Sequence, residues 1–206
     1  LVLAADELRA EAPPEGDAGS YSYKNVNRLL LRSRFDRRLD CAFGGVRCGV
    51  DDAFLRLFAP GIGAEIMGAG KFGPPGWHED PEWKGWWGPN PPFHTPTFIL
   101  THHPRPSIEM EGGTTFHFID ASPAEALQTA REAAGGQDVR LGGGATMIRE
   151  FVAARLVDHM HIAVVPIVLG RGERLWDGQE GLDRRFDVEV LPGGSGVTHL
   201  LLTRRT

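Results

Sequence analysis

Apolar positions recur along this chain in two rhythms, one near every third or fourth residue and one in short runs or alternations. From Asp51 to Phe58, Phe54, Leu55 and Phe58 share a face, which predicts a short helix. Ala64 to Met67 is an apolar run stopped at Gly68, and Thr97 to Thr101 is another, ended by His102-His103-Pro104. Thr114 to Ile119 alternates, so three strands are predicted here. Ser122-Pro123-Ala124-Glu125 is a helix start, with a capping hydroxyl, a proline suited to the first turn and a glutamate at the capping-box position. Leu127, Ala130 and Ala134 give that helix its buried stripe, and Gly135-Gly136 stops it.

Asp138 to Leu141 reads as a strand, and Ile148, Phe151 and Val152 follow at helical spacing. Val157 to Leu169 reads as one long buried strand. Phe186–Leu191 and Val197–Thr203 flank Pro192-Gly-Gly-Ser-Gly196 and predict a hairpin. Strands alternating with helices, closed by that hairpin, define an α/β chain with a mixed sheet and helices on its faces.

The region before residue 48 has a different texture. It is polar and weakly periodic, with a helix expected over 23–35 and nothing that reads as a core strand. The expected division is residues 1–47 as a divergent N-terminal segment and 48–206 as the main domain. Residues 73–96, rich in Pro, Gly and Trp, read as a structured loop region.

Composition narrows the function classes. A chain of 206 residues with 41% hydrophobic content suffices for one ordinary core. The net charge is −5, of which residues 1–47 carry +1 (8 basic, 7 acidic) and the remainder −6. An acidic body argues against nucleic acid as principal partner. The arginines between Arg28 and Arg38 read as a solvated helix face opposite Leu31, Phe35 and Leu39. Two cysteines give neither a disulfide framework nor metal spacing and fit a reducing cytoplasm. The longest apolar run, Ile162 to Leu169, is interrupted by Pro166 and is too short to span a membrane, and no signal sequence opens the chain.

The candidate chemistry gathers at strand ends. Leu141-Gly-Gly-Gly-Ala-Thr146 lies between a strand and a helix, where bare backbone N–H groups and the positive end of a helix dipole can seat a phosphate. Alone, a glycine triplet is as readily strand-to-helix punctuation, and it has neither P-loop nor Rossmann spacing. Met67-Gly-Ala-Gly-Lys71 is a second strand-to-glycine transition, with Lys71 either a phosphate partner or a surface residue. Thr101-His-His-Pro-Arg105 is a third, where Arg105 and the histidines suit a 2′-phosphate, or are ordinary turn charges. Ligands of open α/β sheets sit beyond the carboxyl ends of strands, so the three reinforce one another. His159 and His161 share a strand face but have no third metal ligand of obvious spacing. Trp77, Trp83, Trp86 and Trp87 read as a wall for a planar ring or, more simply, as packing that holds the loop to the body. No nucleophile elbow or metalloprotease motif supports a hydrolase.

Taken together these blocks resemble one family. Gly63-Ala-Glu-Ile-Met-Gly68, Phe98-Ile-Leu-Thr-His-His-Pro-Arg105, Gly112-Gly-Thr-Thr-Phe116, Asp138-Val-Arg-Leu-Gly-Gly-Gly-Ala145 and Leu156 to Gly170, followed by Gly172-Glu-Arg-Leu-Trp176, are similar in order and spacing to the dihydrofolate-reductase-like proteins. Those proteins are related to the C-terminal reductase domain of bifunctional riboflavin-biosynthesis enzymes, and the likeness covers roughly residues 48–205. It implies a three-layer fold with a mostly parallel sheet ending in an antiparallel hairpin, NADPH as cofactor, a small heterocyclic substrate and a homodimer. It also implies that Gly142, Gly143, Gly144, Ala145 and Thr146 hold the cofactor pyrophosphate, approached by Gly68 and Lys71. Thr101, His102 and Arg105 would then line the adenosine phosphate, and Pro166, Gly170 and Gly172 the substrate cleft.

Two departures stand out. Ala69 replaces an arginine common in relatives, with Lys71 the candidate substitute. Relatives also open on a strand ending near Ser-Leu-Asp-Gly, for which the nearest match is Arg38-Leu39-Asp40-Cys41, making Asp40 the candidate to deliver or orient a proton. The implied activity is reduction of 5-amino-6-(5-phosphoribosylamino)uracil, with dihydrofolate reduction as the enzymatic rival. Two non-enzymatic readings stand beside these: a nucleotide-binding protein that has lost its first strand and its catalysis, and a purely structural homodimer. The zinc signature of the companion deaminase is absent.

Overall fold

A computed structural model of the protein describes residues 2–5, 49–56, 60–168 and 172–205, the first four and residues 55–56 as backbone. The strands are β1 (Val2–Ala5), β2 (Ile62–Gly68), β3 (Pro96–Leu100), β4 (Ile108–Glu109), β5 (Thr115–Ile119), β6 (Asp138–Leu141), β7 (His159–Val164), β8 (Phe186–Pro192) and β9 (Thr198–Arg204). The helices are α1 (Val50–Arg56), α2 (Ala69–Phe72), α3 (Pro123–Ala133) and α4 (Ala145–Ala153). Among the described residues these strands form one sheet in the order β4-β5-β3-β2-β6-β1-β7-β9-β8. Strands β5, β3, β2, β6, β1 and β7 run parallel, while β9 and β8 return antiparallel as the hairpin. The mixed α/β sheet expected from the pattern is observed, with the mostly parallel order that the resemblance implies.

Alternation along the strands sorts the core onto two faces. On one, Ala64, Ile66, Val139, Leu141, Met160, Ile162 and Leu202 pack against Leu127 and Ala130 of α3 and Ile148, Phe151 and Val152 of α4. The start of α3 has the expected capping box: Ser122 accepts from the Glu125 N–H, and Glu125 accepts from the Ser122 N–H at 2.9 Å. On the other face, Met67, Ile99, Phe116 and Phe118 meet Phe72, Trp77 and Phe93, and at the far end Phe54 of α1 meets Leu201.

The structure corrects two expectations. Nothing before residue 48 reads as a core strand, yet Val2–Ala5 occupies the middle of the sheet, with Val2 opposite both Arg140 and His159. The run Leu1 to Ala5 is apolar but short, ended by Asp6-Glu7 with no Gly or Pro turn, and its partners lie more than a hundred positions away, so the local signal is too weak to mark it as a core strand. The long strand expected over Val157–Leu169 is shorter. It pairs only from His159 to Val164, and beyond it Ile167 and Val168 are exposed. Pro166 has no N–H to offer a ladder. The region around Arg38–Cys41 and the helix expected over 23–35 lie outside the described residues.

Candidate active site

At the carboxyl ends of the parallel strands, β2 and β6 are tied together. Gly142 donates its N–H to the Ile66 carbonyl at 2.7 Å, and Gly68 donates to the Gly143 carbonyl at 3.0 Å. Gly143 has φ 97°, a left-handed conformation that glycine adopts without a Cβ clash. The turn then enters α4 at Gly144, and no side chain caps this helix start. Among the described residues, a Cβ at Gly144 would meet nothing within 4 Å beyond its own chain neighbours and helix backbone. First-turn N–H groups without a side-chain cap, no acidic residue in that turn and open space beside them suit an anion. The residues present therefore fit a dinucleotide diphosphate.

Beneath the turn lies a buried charged group. Glu65 on β2 and Arg140 on β6 are register partners, 1% and 2% exposed, and the guanidinium holds the carboxylate with N···O distances of 2.5 Å. The Lys71 ammonium points the same way and donates to the Gly142 carbonyl. A Cβ on Gly142 would stand 2.6 Å from Glu65 Oε1 and 3.0 Å from Lys71 Nζ, so only glycine fits between turn and pair.

The expected site residues divide into those the structure brings together and those it does not. Gly68, Gly142, Gly143, Gly144, Ala145 and Thr146 converge on one corner. Lys71 is buried, and its ammonium supports the turn from below rather than standing at the rim. Arg105 turns back from the strand end. Its guanidinium lies over Phe118 at 4.5 Å and Trp77 at 5.0 Å and donates to the carbonyls of Asp80 and Trp83. It secures the Trp-rich loop, and burial pulls its pKa below the usual guanidinium value. Thr101 is buried and caps the turn by accepting from the His103 N–H at 3.1 Å. His102 stays in solvent beside Asp120 at 3.0 Å. Pro166 is exposed near the hairpin loop, 3.7 Å from where a Gly196 Cβ would lie, and Gly172 is exposed with φ 148°. Asp40 and Gly170 lie outside the described residues.

The tryptophans pack rather than line a cleft. Trp77 is buried, Trp83 and Trp87 pack on the same cluster, and Trp86 is half-exposed. Sequence reasoning missed Arg149, which donates to Thr146 Oγ1 at 3.2 Å and to the Arg174 carbonyl at 2.6 Å. It is the cation on the first turns of α4, and its i+3 spacing from Thr146 was the available signal. Among the described residues no group of three His, Cys, Asp or Glu side chains could hold a metal, and no helix is long and apolar enough to cross a membrane.

The fold is a mixed α/β domain with a glycine turn at the carboxyl ends of its parallel strands, and it can be compared with known proteins. Residues 80–198 match the family model of the RibD C-terminal domain. That is more than half of the chain, which therefore belongs to this family of reductases, a family that implies a nicotinamide cofactor. Comparison with curated protein sequences gives no match. Among solved structures, a Shewanella sp. PV-4 protein provisionally assigned to riboflavin biosynthesis is 17% identical over 70% of this chain and 75% of its own, with a TM-score of 0.46. A pyrimidine reductase-like protein from Corynebacterium diphtheriae is 12% identical over 70% and 77%, with a TM-score of 0.42. Acinetobacter baumannii RibD is 16% identical over 70% of this chain but only 47% of its own, with a TM-score of 0.43.

Proposed function

We propose that this protein is a cytoplasmic NADPH-dependent reductase of a small heterocyclic substrate, most like 5-amino-6-(5-phosphoribosylamino)uracil. The observation that carries the reading is the start of α4 at Gly144, without a side-chain cap, with room for a Cβ among the described residues and braced by Gly68, in a chain of the RibD C-terminal domain family. NADPH, when bound, supplies the hydride. The chain's own residues bind and orient. First-turn N–H groups of α4 receive the diphosphate, Thr146 and Arg149 flank it, and the Glu65–Arg140–Lys71 group keeps the turn in place. Fixing donor and acceptor in line is worth about 7–11 kcal/mol of a bimolecular barrier. The central position of β1 favours this reading over that of a fold that has lost its first strand. A second copy of the chain is the proposed partner, supported by the exposed Val188 and Val190 on the edge strand β8.

The test is NADPH titration followed by cofactor fluorescence and thermal shift, then NADPH oxidation with the ribosylamino-pyrimidine and with dihydrofolate in parallel. Saturable binding with turnover of the pyrimidine is expected. Absence of any fluorescence or thermal response to NADPH overturns the proposal.

A further inference from the structure

The short helix α2 joins the glycine turn to the Trp-rich loop. It is a single turn, closed by the Gly73 N–H on the Ala69 carbonyl at 3.1 Å, and no side chain caps its start. A helix this short does not hold its own shape in water, so packing must place it. Its cargo is Lys71, whose buried ammonium donates to the Gly142 carbonyl. The corner fixes the tip of that side chain, and α2 fixes its root.

The loop holds α2 from the other side. The Trp83 indole N–H donates to the Phe72 carbonyl at 3.2 Å and so caps the last turn, where carbonyls have no partner within the helix. Phe72 is fully buried, edge-on to Trp77 at 4.9 Å and to Phe118 at 5.1 Å. A Cβ on Gly73 would stand 2.6 Å from both Trp77 Cβ and Trp83 Nε1, so glycine alone lets the two tryptophans close on the helix end. The loop is tied in turn to the segment after β3. Arg105 gives its donors to the Asp80 and Trp83 carbonyls while its guanidinium lies over Trp77 and Phe118. The His78 ring stacks on His103, centroids 3.7 Å apart and planes 3° from parallel. One continuous line of contacts therefore runs from Arg105 through Trp83, Phe72 and Lys71 to Gly142.

We propose that Trp83 and Arg105 are positioning residues of the glycine turn: by holding the end of α2 they keep the Lys71 ammonium under the Gly142 carbonyl. The importance of this for the cofactor rests on the turn being the diphosphate seat; the link itself does not. Loss of the indole donor frees a carbonyl of a helix that has no second turn to absorb the change. At position 105 the planar guanidinium serves two carbonyls and lies on aromatic rings at once, which the compact ammonium of lysine does not do.

The experiment is hydrogen exchange of the Gly68 and Gly142 amides, resolved by NMR in the intact, ligand-free protein. These two N–H groups cross the turn, to the Gly143 and Ile66 carbonyls. Trp83→Phe keeps a ring and removes the donor. It is expected to speed exchange of both amides on the order of fivefold, as loss of one hydrogen bond would, while the amides of α3 keep their rates. Trp86→Phe, at a half-exposed ring edge-on to Trp83, should leave both amides unchanged. In a Lys71→Met background Trp83→Phe should add nothing, because the group it acts through is gone. Unchanged Gly68 and Gly142 exchange in Trp83→Phe, or an equal further increase on top of Lys71→Met, overturns the proposal. Should Trp83→Phe or the double variant not fold, Arg105→Lys decides: faster exchange at these two amides but not in α3 supports the link, and unchanged exchange overturns it. NADPH titration separates this from the reductase reading. Binding weakened about fivefold in Trp83→Phe supports both, and equal binding by both proteins overturns the positioning role. No binding by the unsubstituted protein removes the cofactor and leaves the two amides to judge the link.

Discussion

The carbonyl oxygen of Gly142 accepts a hydrogen bond from the buried ammonium of Lys71, so the first glycine of the turn is held by a cation from inside the protein. The same residue has no room for a Cβ, because Glu65 Oε1 would lie 2.6 Å away. Gly142→Ala must therefore push apart a carboxylate that Arg140 fixes, and overpacking of this kind costs about 1–3 kcal/mol. Gly144→Ala meets nothing within 4 Å and should leave unfolding unchanged, while filling the space assigned to the diphosphate. Thermal unfolding and NADPH titration on the pair of variants separate the effects: lower Tm for the first, normal Tm with weaker NADPH binding for the second.

The Glu65–Arg140 pair is almost fully buried, and removing Glu65 takes from the buried guanidinium the carboxylate that it donates to. Glu65→Leu alone is expected to lose about 3–5 kcal/mol in urea denaturation. Replacing both residues with apolar ones of similar volume should recover much of that loss. Equal destabilisation in the single and double variants would contradict this account.

How much of this was legible in the sequence depends on distance along the chain. Strand β2 and the Gly142–Gly144 turn were readable because an apolar run stopped by glycine has one local interpretation. Side-chain direction was not. Lys71 and Arg105 follow strand ends as phosphate-binding residues do, but the Gly142 carbonyl turns one inward and the Trp77–Phe118 wall captures the other. The His161–His199 contact joins residues 38 positions apart on antiparallel strands, and no spacing rule announces it. The overlong reading of β7 arose because Ile167 and Val168 are as apolar as core residues, although both are exposed.

Arg149 is expected to contribute to NADPH affinity through charge. A charge-assisted hydrogen bond contributes about 1.5–3 kcal/mol, so Arg149→Ala should weaken NADPH binding about tenfold or more. The loss should shrink at high salt, where the native contact is itself screened. Fluorescence titrations at low and high ionic strength check both statements.

Asp51 links acid stability to the hairpin. The hydrogen bond from His199, reinforced by the Ser195 N–H, holds its carboxyl below the ordinary value of 3.8. A carboxylate with a depressed folded-state pKa adds stability that is full above the unfolded value and is lost as pH falls through the folded one. Unfolding followed from pH 6 to pH 2 should therefore show a loss below about pH 4 that is reduced in Asp51→Asn. An unchanged acid limb in that variant would remove Asp51 from the account.

The position of Val2–Ala5 has a kinetic consequence. These residues form the keystone of the sheet, yet the strands on either side of them follow only after more than a hundred further residues have been translated. Until β6 and β7 exist, this segment has no neighbours to pair with, and until it inserts, two strand edges in the middle of the sheet stay open to other chains. Closure over such a span belongs to the slow end of folding. An obstruction bound to Val2–Ala5 would therefore act late, on the last seam to be joined.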